Sequence, residues 1–217
     1  MWTRKRIEQC GSVLPGDELI KRTRIVVIDD EETTFPFDIL KNEGYSIDHW
    51  PDVKDLSKLE TGFYDIIILD IGGIGIEFDS ENEGLAVLKH IKEVNPSQIV
   101  IAFSGQSYES SKISFFQLAD QYVPKPTAAL TWKEILDDMI GNKMSITHYW
   151  STLKSLLEEQ GFPPKQVRKV EKVIIRATQG EKVNLGDSLS RILGKVDRAT
   201  TLICMAVKIV TKFGYGT

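Results

Sequence analysis

Three carboxylates, a hydroxyl and an amine stand at the ends of four short apolar runs, and each can handle a phosphate or a cation. Arg24-Ile25-Val26-Val27-Ile28 leads into Asp29-Asp30-Glu31, and Asp65-Ile66-Ile67-Ile68-Leu69 leads into Asp70. Ile99-Val100-Ile101-Ala102-Phe103 leads into Ser104-Gly105, and Gln121-Tyr122-Val123-Pro124 into Lys125-Pro126. Three like charges brought close raise one another's pKa values or recruit a cation. Oxygen donors with little else favour Mg²⁺, which keeps several of its waters and often holds a phosphate as well. Ser104 can donate to a phosphoryl oxygen, Lys125 can neutralise one as a mobile point charge, and Gly105 leaves room for an incoming group. A carboxylate flanked in this way can act as nucleophile toward a phosphoryl donor and form an aspartyl-phosphate.

Elements must bring these residues together, because they are spread from position 29 to position 125. The four runs, with a weaker one over 45–49, have the length and β-branched content of buried strands. Helical spacing alternates with them. Leu85, Val87, Leu88 and Ile91 lie on one helix face stopped by Asn95-Pro96, and short or longer helices are predicted over 53–59, 107–119 and 128–140. Pro36 delays the start of the first helix. Such alternation predicts a parallel α/β sheet with helices on both faces, and ligand chemistry in that architecture gathers at the carboxyl ends of the strands.

After Gly141 the strand signals stop. Trp150, Leu153, Leu156 and Leu157 form one amphipathic stripe ended by Gly161, and Pro163-Pro164 opens a second helix carrying Val167, Val170, Val173, Ile174 and Ala177. A shorter helix over 189–193 and a last apolar face (Leu202, Met205, Ala206, Ile209, Val210) complete a small all-α region. The organisation read from the chain is an extension over 1–22, an α/β domain over 23–142 and a basic helical domain over 143–217, with the boundary near 141–146.

Composition is that of an ordinary globular protein, 41% hydrophobic and 27% charged over 217 residues. Cys10 and Cys204 have no metal or redox spacing, the start of the chain lacks the apolar core of a signal peptide, and no stretch is long and apolar enough for a membrane span. These features predict a cytoplasmic protein with no membrane partner. The net charge of −4 conceals a division. Residues 1–142 hold 14 Lys/Arg against 25 Asp/Glu, and residues 143–217 hold 13 against 6. The two regions either meet different partners or attract each other.

In order along the chain, Val-Val-Ile-Asp-Asp-Glu, Asp-Ile-Ile-Ile-Leu-Asp-Ile, Phe-Ser-Gly and Tyr-Val-Pro-Lys-Pro resemble the receiver domain of two-component response regulators, over roughly residues 23–141. The resemblance implies a flavodoxin-like (βα)5 doubly wound sheet in strand order 2-1-3-4-5. It implies Asp70 as phospho-acceptor. Asp30, Asp70 and the carbonyl of Gly72 would hold Mg²⁺, with Asp29 acting through a water, and Ser104 and Lys125 would bind the phosphoryl group. Ser104 and Tyr122 match the family's switch pair, and the Lys125-Pro126 bond matches one that is usually cis. A sensor histidine kinase or a small phosphodonor would supply the phosphoryl group. One segment departs from the pattern: the stretch from Gly72 to Gly84 is longer than usual and acidic. It would cover the pocket, discourage anionic phosphodonors, or serve as a docking edge.

The basic region leaves more than one reading open. Lys165, Arg168, Lys172 and Arg176 share one helix face by their 3- and 4-residue spacing, and Arg191, Lys195 and Arg198 repeat it. Such a face is a solvated surface, a nucleic-acid footprint or a protein contact. The final apolar run is a core helix or a homodimer seam. An adaptor that binds proteins without phosphorylation is the other reading of the whole chain. The segment from Asp79 to Gly84 places His90 where an EF-hand needs its bidentate Glu, which argues against calcium. His49, His90 and His148 read as surface or packing residues.

Overall fold

A computed structural model describes residues 6–10, 16–105, 116–196 and 198–214. The chain forms two compact units: residues 15–141, and residues 142–217 together with 1–14. In the first, α1 (Gly16–Arg22) precedes β1 (Arg24–Ile28), α2 (Phe37–Asn42), β2 (Ser46–Trp50) and α3 (Leu56–Glu60). β3 (Ile66–Asp70), α4 (Gly84–Val94), β4 (Ile99–Ser104), β5 (Gln121–Pro124) and α5 (Ala129–Lys143) follow. The helix expected over 107–119 lies almost wholly outside the described residues.

All five strands are parallel, in the order β2-β1-β3-β4-β5. The order departs from chain order because β3 crosses to the far side of β1, which creates a switch point between β1 and β3. β3 and β4 are buried at every position, as a strand covered on both faces must be, and their near-continuous Ile/Val/Leu runs supply apolar side chains to both sides. On one face Val26, Ile28, Ile67, Leu69, Val100 and Ala102 pack against Leu59, Leu85, Leu88 and Ile91. On the other, Phe103 meets Trp132 of α5 at 5.1 Å between ring centroids, and Phe35 meets the same ring at 4.9 Å.

Helix starts follow local chemistry. α2 opens at Phe37, directly after Pro36, as the proline requires. α3 opens at Leu56 rather than near 53, because the Asp55 side chain accepts from the Lys58 N–H and caps it there. α5 continues through Gly141 to Lys143 instead of stopping at the glycine. The sequence assigned no element to residues 16–22, which form α1; its acidic first turn and basic last turn (Asp17, Glu18; Lys21, Arg22) complement the helix dipole without burying a side chain.

The second unit is helical: α6 (Ile146–Glu159), α7 (Pro164–Thr178), α8 (Leu185–Leu193) and α9 (Ala199–Phe213). Ser145 and Asn184 cap α6 and α8 through their side chains, and Pro164 occupies the first turn of α7, where a missing N–H costs nothing. Leu153, Leu157, Ile174, Leu189, Leu202 and Ile209 lie in its core. The 3-10 turn Ile7–Gln9 belongs here as well: Ile7 is buried and its N–H donates to Glu171 at 3.4 Å. Among the described residues, no helix is long and apolar enough to cross a membrane.

Candidate functional site

Parallel register brings the strand ends to one edge. Ile28, the last residue of β1, pairs with Leu69, so Asp29 and Asp70 stand at the same level on neighbouring strands. Asp70 pairs with Phe103, and Ser104 with Pro124, which sets Ser104 and Lys125 one step further along. The Lys125 N–H donates to the Ser104 carbonyl at 3.0 Å and extends the ladder to the lysine.

One carboxylate oxygen each of Asp29, Asp30 and Asp70 lie within 4.8 Å of one another. Asp29 is fully buried. Its Oδ1 accepts from the Glu31 N–H at 2.9 Å, and its Oδ2 from the Thr34 hydroxyl at 2.8 Å. Lys125 Nζ bridges Asp29 Oδ2 at 2.7 Å and Asp70 Oδ2 at 2.6 Å. The other oxygen of Asp70 accepts from the Gly72 N–H at 3.0 Å. Asp30 is exposed, and among the described residues its carboxylate has no hydrogen bond or ion pair.

Burial pushes the Asp70 carboxyl above its ordinary pKa; the Lys125 and Gly72 hydrogen bonds pull the other way, and the nearby Asp29 charge adds to the rise. For Lys125, burial works against the charge, but the hydrogen bonds to Asp29 and Asp70 outweigh it and hold the amine above the usual lysine value. The donor set therefore suits a hard divalent cation: oxygen atoms only, one carboxylate without a partner, and a buried carboxylate whose charge burial disfavours.

Ser104 is buried, and its carbonyl also accepts from the Tyr122 hydroxyl at 3.1 Å, while the Tyr122 ring stands edge-on to Phe116 at 5.5 Å. Burial raises the Tyr122 pKa. The Lys125-Pro126 bond is cis. A Cβ placed on Gly105 would sit 3.7 Å from Lys125 Cβ, an ordinary contact, so space alone does not require glycine there. Gly84 is different. A Cβ there would lie 2.3 Å from the Asp70 carbonyl oxygen, so the residue that opens α4 can only be glycine.

The stretch after Asp70 is an ordered loop. The Gly73 N–H donates to Glu83 at 2.8 Å, and the Gly75 N–H to Asp52 at 2.8 Å. Asp79 accepts from the N–H groups of Glu81 and Asn82 and from the Asn82 amide, which holds its carboxyl below the ordinary range. Ile74 is buried, whereas Ile76 and Phe78 are 50% and 57% exposed. Sequence reasoning missed Thr34, Asp52 and Glu83; Thr34 and Glu83 stand away from any strand end, and Asp52 follows β2, the weakest of the strand signals. His49, expected as a surface or packing residue, is half-buried with its ring 5.0 Å from that of Phe37; its Nε2 lies 2.7 Å from the Asp29 carbonyl oxygen and must carry the proton to donate there. Lys165, Arg168, Lys172 and Arg176 are exposed along α7 of the other unit, and Arg176 pairs with Glu181 at 2.6 Å.

The sequence matches no protein-family profile and no curated protein. Solved structures do resemble it. The response regulator protein TrrA from Thermotoga maritima, in complex with Mg²⁺-BeF, is 28% identical over 54% of this chain and 98% of its own, with a TM-score of 0.41. A CheY-like receiver domain protein from Methanospirillum hungatei is 22% identical over 56% and 96%, with a TM-score of 0.47. The receiver domain of NtrX from Brucella abortus is 24% identical over 54% and 98%, with a TM-score of 0.45. The five-stranded parallel sheet in order 2-1-3-4-5, with helices on both faces, has the topology of the CheY-like fold.

Proposed function

We propose that the sheet-bearing unit accepts a phosphoryl group on Asp70 and that this event switches the helical unit. The observation that carries the reading is the three-carboxylate cluster with Lys125 bridging two of its members. Asp30, Asp70 and the Gly72 carbonyl would hold Mg²⁺, with Asp29 acting through a water. When bound, the ion supplies positive charge that offsets the phosphoryl oxygens.

The chain's own residues do the rest. An oxygen of Asp70 attacks the donor phosphorus, the bond from phosphorus to the leaving group breaks, and an acyl phosphate results. Lys125 already sits on Asp70 and follows the charge onto the phosphoryl oxygens, while the Ser104 hydroxyl donates to one of them. The donor is a histidine kinase or a small phosphodonor. Ser104 and Tyr122 report the event, since both act through the Ser104 segment at the end of β4.

A second reading of the output rests on α7. Lys165, Arg168 and Lys172 are exposed and meet no carboxylate among the described residues, which suits a phosphate backbone as well as an acidic protein. Acetyl phosphate with Mg²⁺ should retard the full chain on a phosphate-binding gel, and Asp70→Asn should abolish the shift. An unshifted wild-type chain would instead identify an adaptor that acts by binding alone.

A further inference from the structure

Glu83 is the only non-glycine with positive φ among the described residues, at φ 49° and ψ −128°. An L-residue in such a conformation persists only where its surroundings over-determine it. The backbone part of that demand is visible. Gly84 is pressed against the Asp70 carbonyl and the Ile71 Cα, and its N–H donates to the Ile71 carbonyl at 3.2 Å, so the chain must turn sharply to enter α4. A glycine at position 83 would make this turn without strain. The chain carries a glutamate, and among the described residues the one hydrogen bond of its side chain is accepted from the Gly73 N–H.

That bond closes the loop onto its own start. Gly73 is itself left-handed at φ +79°, and a Cβ there would sit 3.4 Å from Asp30 Oδ2, so its backbone lies against the carboxylate that has no hydrogen bond or ion pair among the described residues. Gly72, one residue earlier, holds Asp70 Oδ1. Asp52 braces the next turn through the Gly75 N–H. We infer that Glu83 is a positioning residue: it accepts backbone strain to clamp the Gly72-Gly73 segment between Asp30 and Asp70, and so fixes the divalent-cation pocket. This rests on the Mg²⁺ reading above.

Melting of the full chain over a MgCl₂ titration, with an EDTA baseline, tests it. In Glu83→Gly the transition that Mg²⁺ shifts should be no lower than wild type in EDTA, because the strain is gone. Its Mg²⁺ half-saturation should rise by roughly ten- to a hundredfold, the usual effect of losing an outer support. Glu83→Gln keeps an acceptor for the Gly73 N–H and should match wild type within about twofold in half-saturation. Wild-type half-saturation in Glu83→Gly overturns the inference, as does a parallel loss of EDTA stability and Mg²⁺ response, which marks a merely structural residue. Glu83→Gln behaving like Glu83→Gly also overturns it. Asp30→Asn separates the two layers. A wild-type Mg²⁺ shift that Asp30→Asn loses and Glu83→Gly retains sinks this inference alone, whereas no shift in wild type sinks the Mg²⁺ reading and this with it.

Discussion

The Lys125 ammonium touches one oxygen each of Asp29 and Asp70, whereas Lys165, Arg168, Lys169 and Lys172 along the outer face of α7 meet no carboxylate among the described residues. Both regions concentrate charge, but in different ways. At the sheet edge, Asp29, Asp70 and Lys125 bring charges of both signs together out of water, and hydrogen bonds among them and to nearby groups fix their positions, while Asp30 stays exposed beside them. Those four charges on α7 are of one sign and exposed, and none has an ion pair among the described residues. Even the acid of α7, Glu171, turns to the Ile7 N–H. Geometry carries the information in the first region, and only sign and density carry it in the second.

The sharpest way to break that contrast is to remove one lysine from each region. Lys125→Met leaves two buried carboxylates without their cation, and losing one partner of a buried pair costs about 3–5 kcal/mol. Urea unfolding in EDTA should show that loss, and MgCl₂ should recover part of it by replacing the missing charge. Lys172→Met on α7 should stay within about 0.5 kcal/mol of wild type. Equal effects at the two positions would show that the pocket is no more than a solvated surface.

A smaller effect is expected from reversing sign on α7. If that face follows a phosphate backbone, each contact contributes about 0.9 to the slope of log affinity against log salt, so Arg168→Glu/Lys172→Glu should flatten the slope by roughly 2. Binding of a mixed-sequence duplex measured at several salt concentrations gives the slope directly. Phosphoryl uptake on Asp70 should be unchanged in the same variant. Unaltered duplex binding would remove α7 as the footprint, and a salt-insensitive interaction would point to an apolar protein contact instead.

The same contrast explains what the sequence could disclose. Asp29, Asp70, Ser104 and Lys125 were legible because strand-length apolar runs end on them, and a parallel sheet leaves one place where such ends can meet. Strand order itself came from the resemblance, since apolar runs do not say which of their neighbours they pair with. The clamp was not legible. Glu83 and Asp52 act on backbone N–H groups across a loop, and no periodicity marks a side chain that answers a distant amide. α1 escaped because it buries nothing and so has no apolar stripe. In the helical unit the apolar stripes marked the cores of α6, α7 and α9, but α8 begins at Leu185, earlier than its apolar residues suggest, because Asn184 caps it.

The subtlest expected effect concerns the stability the pocket gives up. Burial raises the Asp70 pKa in the folded chain above its unfolded value near 3.9. The folded state therefore holds that proton more tightly than the unfolded state does, and the stabilisation this provides is complete only below the unfolded value. As pH rises through the raised folded value the stabilisation is lost, because an ionised Asp70 must then be kept out of water. Lys125 is shifted upward too, so its contribution is lost only in the alkaline range and leaves the acid window undisturbed. In EDTA at pH 7, Asp70→Asn should accordingly melt above wild type, and the difference should vanish as pH falls below the ordinary carboxylate range. MgCl₂ should reverse the order at pH 7, since a cation stabilises the carboxylate and not the amide. An Asp70→Asn chain less stable than wild type in EDTA at pH 7 would mean that Lys125 and the Gly72 N–H outweigh burial, and that the pocket is a structural ion pair rather than a site held ready for a cation.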